Sequence, residues 1–165
     1  MTNYELVIKQ VEEVIKTINP EGKSVINEED MKTFCFNHTI NDSDIEVYVN
    51  IFEEFEYYRL ALHLPYIVPE NKRIEIAQYL FDQNEFLSYG TFLFSFETGR
   101  IVLKSDVQFQ NIDLEEFSDY FANNLSDCID LLNDVYPAIM QLIYSSLSLK
   151  FIKKRFIGKQ NVMYN

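Results

Sequence analysis

Tryptophan is absent from this chain of 165 residues, and cysteine, histidine, glycine and proline number 2, 2, 4 and 4. Each shortage excludes something. Two cysteines, Cys35 and Cys128, make neither a disulfide framework nor a CxxC site, so a reducing cytoplasm is the expected compartment. Two histidines, His38 and His63, lie on separate segments and join no familiar set of converging ligands, which predicts structural roles and no metal or other cofactor. Four glycines leave no Gly-rich phosphate loop, and GxSxG, HExxH and zinc-finger spacings are all missing. No apolar run approaches the ~20 residues that a membrane-spanning helix needs, so a soluble protein with no membrane span is predicted. Basic residues are also scarce, 14 against 26 acids for a net charge of −12, which argues against nucleic acid as a partner because duplex binding draws on Lys and Arg at phosphates.

What is present is aromatic. There are 14 Phe and 11 Tyr within an apolar fraction of 47%, and a chain of this size buries about 70% of the surface its unfolded form exposes, enough for one aromatic-rich core. Charge is unevenly placed. From Ser148 onward stand five basic residues, Lys150, Lys153, Lys154, Arg155 and Lys159, and no acid, so all 26 acids and the other nine bases precede them. The expected organisation is a single domain over 1–147 and a basic C-terminal tail over 148–165, solvated or folded back on acidic neighbours, the alternative being an arm for anionic lipid or nucleic acid.

Periodicity supplies the elements. Thr2 and Glu5 form a T-x-x-E capping box ahead of Leu6, Val7, Val11, Val14, Ile15 and Ile18, predicting a helix over 3–18 that Asn19-Pro20-Glu21-Gly22 stops. A polar loop is expected next. Period-two runs then follow: Phe34, Phe36, His38 and Ile40; Ile45, Val47, Val49 and Ile51; Tyr58, Leu60, Leu62 and Leu64. The short connections between them favour an antiparallel meander. Pro69 suits the start of a helix with Ile74, Ile76, Ala77, Leu80 and Phe81 on its apolar face, ending near Asn84. A hairpin over "SYGTFLFSFETGRIVL" is expected to turn at Thr98-Gly99, setting Phe96 opposite Ile101, Phe94 opposite Leu103 and Glu97 opposite Arg100. Asp113 with Glu116, and Ile112 with Phe117, predict a capped and stapled start to a last helix, with a kink or break at Pro137 before Ala138. The fold class is therefore α+β: an antiparallel five-stranded sheet flanked by helices, in the order α-βββ-α-ββ-α.

No constellation points to catalysis. The carboxylates sit mostly in loops and at helix starts, where they serve solubility and helix dipoles, so no enzyme is expected; the alternative is an enzyme of unrecognised kind built on a carboxylate pair. The order Leu64-Pro65-Tyr66-Ile67-Val68-Pro69, Asn84 before Tyr89-Gly90-Thr91-Phe92, Glu97-Thr98-Gly99-Arg100-Ile101-Val102, and Tyr136-Pro137-Ala138 with Ile143-Tyr144 resembles the YbjN-like family of bacterial sensory-transduction regulators. That family is similar in turn to the type III secretion chaperone fold. The resemblance implies a non-catalytic, chaperone-like adaptor or regulator in signalling or stress response, acting on a protein partner and dimerising; the alternative it implies is a chaperone for an exported protein. It brings no catalytic residues with it. With helices on one face of the sheet, Tyr48, Phe52, Leu93 and Val102 are expected on the other as a partner-binding patch, and a sheet edge or the long helix as the place of a homodimer contact.

Overall fold

The computed structural model describes residues 2–19, 24–28, 30–110 and 112–160, with the side chains of 156–160 excepted. The Thr2 hydroxyl accepts the Glu5 N–H at 3.2 Å while the Glu5 carboxylate accepts the Thr2 N–H at 2.7 Å, closing the expected capping box on α1 (Asn3–Ile18). Val7, Val11, Val14 and Ile15 form its buried stripe. Asn19 caps its C-terminus; Pro20, Glu21 and Gly22, read as its stop, lie outside the described residues.

Six strands form one antiparallel sheet, one more than the sequence predicts: β1 (Ser24–Asn27), β2 (Met31–Ile40), β3 (Ser43–Phe52), β4 (Tyr57–His63), β5 (Thr91–Phe94) and β6 (Ile101–Gln108), in the order β1-β2-β3-β4-β6-β5. The extra strand is β1, which falls in the expected polar loop. All four of its residues are exposed, so it has no alternating pattern to read, and it is held by main-chain pairing to β2. The Asn41-Asp42 turn between β2 and β3 has φ of 44° and 62°, the left-handed pair that a two-residue hairpin needs, and it sets Ile40 opposite Ser43.

The hairpin register differs from the expected one by two residues. Phe94 stands opposite Ile101 and Phe92 opposite Leu103, because Ser95 to Arg100 form a longer connection in which Ser95 N–H donates to the Arg100 carbonyl and Gly99 N–H to the Ser95 carbonyl. Phe96 is thereby exposed rather than buried with Phe92, its ring edge-on to Phe94 at 5.1 Å. An even slip leaves every side chain on its face, so alternation alone cannot choose between the two registers.

A 3₁₀ turn, Glu70–Lys72, follows Pro69 and leads into α2 (Arg73–Asn84). Its buried stripe is Ile76, Tyr79, Leu80 and Gln83; Ile74 and Phe81, expected on the apolar face, lie on the other side and are 76% and 64% exposed. The long helix α3 (Phe117–Tyr144) begins later than predicted: the Asp113 carboxylate accepts the Glu115 N–H in a local turn, so the expected capping box is not made. Pro137 does not break α3. Proline frees the carbonyl four residues back, that of Asn133, and Asn41 Nδ2 from the β2–β3 turn donates to it at 3.4 Å. Residues 149–160 form α4 (Leu149–Gln160), in which Ile152 is fully buried and Lys153 pairs with Asp82 of α2.

Helices α1 and α3 pack together under one face of the sheet, burying Phe34, Ile45, Val49, Tyr58, Leu60 and Leu103 among others in a single core cluster. Among the described residues no helix covers the opposite face.

Candidate protein-binding face

Side-chain alternation and the strand registers fix what the uncovered face presents. One row across it reads Glu46, His63, Val102 and Leu93 on β3, β4, β6 and β5; the next reads Cys35, Tyr48, Ala61, Lys104 and Thr91. Leu93 stands directly opposite Val102, and Val102 directly opposite His63. The Tyr48 ring meets the His63 ring edge-on at 5.0 Å. Tyr48, His63, Val102 and Leu93 thus form a continuous aromatic–aliphatic band, with Leu93 45% exposed and the other three half-buried.

Phe52 lies at the far end of the same face. Its ring stacks on Tyr57 at 4.4 Å and 13°, and the Arg59 guanidinium stands over both rings, 6.0 Å and 5.8 Å from their centroids. Arg59 in turn holds Asp106 through two hydrogen bonds of 2.7 and 3.0 Å, and Lys104 Nζ reaches the same carboxylate at 2.8 Å. The face therefore brings Tyr48, Val102 and Leu93 together, and separates Phe52 from them by a polar row. His63, Tyr57, Arg59 and Asp106 belong to the same surface; the signal that places the first three is period-two alternation with Tyr58, Leu60 and Leu62 on β4, and for Asp106 alternation with Leu103, Ser105 and Val107 on β6.

Electrostatics on this face follow from those contacts. A side-chain hydrogen bond with Cys35 raises the pKa of Tyr48, with partial desolvation adding to it. Burial lowers the pKa of His63, outweighing the opposing attraction of Glu46. For Asp106 desolvation acts upward, but the hydrogen bonds from Arg59 and Lys104 together outweigh it and the net shift is downward. Away from the face, burial pushes the Cys128 thiol up to about 12, which makes it an inert core residue rather than a nucleophile. Among the described residues no group of three or more His, Cys, Asp or Glu could hold a metal ion, and no helix is long and apolar enough to cross a membrane.

The residues that carry the family resemblance serve the scaffold. The Ser43 hydroxyl shares hydrogen bonds with the hydroxyls of Tyr66 at 2.8 Å and Tyr136 at 2.6 Å, Val68 N–H donates to the Gly99 carbonyl at 2.9 Å, and Asn84 bonds the main chain of Phe92.

The fold is similar to that of a chain in the crystal structure of the ExsC–ExsE complex, at a TM-score of 0.52 and 20% identity, over 81% of this chain and 95% of that one. At that identity the likeness is one of fold: an α+β chain with an antiparallel sheet and flanking helices. No family model and no curated protein matches the chain.

Proposed function

We propose that this protein is a non-enzymatic, cytoplasmic protein-binding module, a chaperone-like adaptor or regulator of the YbjN-like kind. The observation that carries the reading is the uncovered sheet face with its band of Tyr48, His63, Val102 and Leu93, an apolar surface on a molecule whose other sheet face is fully packed. The likeness to a chain crystallised in a complex supports a protein as the partner. In this reading Tyr48, Leu93 and Val102 contact the partner centrally, Phe52 with Tyr57 and Arg59 contacts it at the rim, residues 1–147 are the binding domain, and the protein acts as a homodimer.

A narrower form, a type III secretion-type chaperone for an exported protein, is favoured by that same structural likeness. The two forms differ in the fate of the partner, which is exported in one and retained in the other.

The test is affinity capture from the native cell with the full-length protein and with Leu93→Glu and Tyr48→Ala. A protein recovered in stoichiometric amount with the unaltered chain and lost with both variants is the expected result. Recovery unaffected by either substitution would remove this face from the interaction, and light scattering on the purified protein decides monomer against dimer.

A further inference from the structure

The sequence of α4 holds bases and no acid, and the helix sorts them by side. Ser148 starts it, its hydroxyl accepting the Phe151 N–H at 3.4 Å and its carbonyl the Ile152 N–H at 3.1 Å. At 3.6 residues per turn Leu149 and Ile152 share the inward side, half-buried and buried. Lys150, Phe151, Lys154 and Arg155 form the arc opposite, and all four are exposed. An aromatic ring thus stands among cations on the outer side of a helix that Ile152 anchors to the core.

α4 runs beside α2 and in the same direction. Lys72, at the start of α2, donates to the Ser145 carbonyl just before α4, and Asp82, near the end of α2, pairs with Lys153 one turn into α4. Seen down that common direction, Asp82 marks the side of α2 toward α4. The buried Ile76 and Gln83 lie about 120° and 100° clockwise of it, and the exposed Phe81 and Ile74 about 100° and 80° anticlockwise. On α4 the senses reverse: from Lys153, which marks the side toward α2, buried Ile152 lies about 100° anticlockwise and Lys154 and Lys150 about 100° and 60° clockwise. Two ridges therefore rise from one surface, Ile74 and Phe81 beside Lys150 and Lys154, with Phe151 on the outer shoulder. Its charge is positive. Both acids of α2 are matched, Glu75 by Lys72 at 3.1 Å and Asp82 by Lys153, whereas Lys150 and Lys154 have no ion-pair partner among the described residues.

We infer that this surface of α2 and α4 docks the protein peripherally on an anionic lipid bilayer. Lysine ammonium groups meet the headgroup phosphates, and their long stems keep the charge at that level while Ile74 and Phe81 enter the acyl boundary. The apolar ridge is what separates a bilayer from a nucleic acid. A duplex offers Ile74 and Phe81 no apolar counterpart and draws its affinity from many more cations than these. Acids elsewhere on the chain do not cancel the two lysines at the membrane, because at physiological ionic strength a charge is largely screened beyond about 8 Å. The surface shares no residue with the open sheet face, so the inference goes beyond the protein-binding reading and adds a place at which that binding happens.

The test is co-sedimentation of the full-length protein with vesicles of phosphatidylcholine mixed with phosphatidylglycerol, against vesicles of phosphatidylcholine alone. Binding to the mixed vesicles only, released by about 0.5 M salt, is the expected result. Lys150→Gln and Lys154→Gln are each expected to lower vesicle affinity about fivefold, and Phe81→Gln about tenfold. All three side chains point outward, so circular dichroism and the melting temperature check that the fold is kept. The lysine variants leave capture of a partner through the open sheet face unchanged, which separates the two readings. Equal binding to both kinds of vesicle, or mixed-vesicle affinity unaltered in the lysine variants, would overturn the assignment. So would retention of duplex DNA in place of vesicles, lost in the same variants, which would give the lysines to nucleic acid. A dimer in light scattering that Phe81→Gln turns into a monomer would overturn it as well, by placing a second copy on the ridge.

Discussion

The side-chain amide of Asn84 is bonded at both ends to the main chain of Phe92: Oδ1 accepts the Phe92 N–H at 2.7 Å and Nδ2 donates to the Phe92 carbonyl at 3.0 Å. Asn84 ends α2 and Phe92 lies on β5, so one carboxamide stands in for a neighbouring strand and ties the helix to the sheet. Asn84→Leu removes both bonds and leaves two strand groups without partners, a cost of about 2 kcal/mol. Asn84→Asp keeps the acceptor and sets a carboxylate against the Phe92 carbonyl, so it is expected to be intermediate at neutral pH and to recover when the carboxyl is protonated. Urea unfolding of the three proteins decides; a Leu variant as stable as the parent would show that the edge needs no such partner.

Gly99 and Gly90 share a φ of +71° but differ in what surrounds them. A Cβ at Gly99 would lie 2.5 Å from the Val68 carbonyl oxygen and 3.1 Å from its nitrogen, both rigid main-chain atoms. At Gly90 the nearest atom is the Leu103 Cδ1 at 3.3 Å, the end of a side chain that can move. Gly99→Ala is expected to cost about 3 kcal/mol and to weaken the Val68–Gly99 hydrogen bond, whereas Gly90→Ala costs about 1 kcal/mol, the left-handed backbone penalty. Thermal denaturation of the two variants side by side checks the ranking, and equal losses would mean that the contact with Val68 is not the constraint.

How much of this was legible in the sequence follows from which interactions leave a periodic trace. The α1 capping box, the three long strands and the face assignments of Tyr48, Leu93 and Val102 can be read because alternation and spacing reflect burial directly. β1 could not, since Ser24 to Asn27 bury nothing and are held by main-chain pairing. The hairpin register failed for a related reason: a two-residue slip is invisible to alternation, and the Ser95–Arg100 bond that fixes it is a main-chain contact. Pro137 sits inside an unbroken α3 because its compensation is remote. The partner of the freed Asn133 carbonyl is Asn41, 92 residues away, and nothing near Pro137 announces it.

His63 gives the open face a pH dependence of known sign. Its pKa is lowered by burial, with Arg100 acting in the same direction and Glu46 opposing, so below the ordinary histidine value of about 6.5 the unfolded chain takes up the proton first. Stability contributed at this position is intact above that pH and is lost as pH falls through the depressed value of the folded protein. The urea midpoint is expected to decrease between pH 7.5 and 5.5, and His63→Asn to flatten that slope. The same proton would charge the ring that Tyr48 meets edge-on, so capture of a partner through this face should weaken over the same range. A His63→Asn profile parallel to that of the parent would show that another group governs the window.

Ile152 makes α4 part of the core. Its side chain is fully buried in the same cluster as α1 and α3, while its neighbour Lys153 reaches Asp82 on α2, so one turn of α4 supplies an apolar anchor and an ion pair to the body. The two contributions are of different size. Ile152→Ala opens a cavity at a site walled by packed helices, expected to cost 2 to 4 kcal/mol or about that, whereas Lys153→Ala removes a partly exposed pair worth about 1 kcal/mol or less and losing further weight in salt. A chain ended at Ser148 should therefore lose at least as much stability as Ile152→Ala, through exposed core rather than lost charge. Guanidinium and urea unfolding distinguish the two sources, because the ionic denaturant screens the Lys153 contribution and leaves the Ile152 loss in place. If Ile152→Ala unfolds at the parent's midpoint, α4 is an appendage resting on the body, and truncation at Ser148 is then a neutral test of what its basic residues bind.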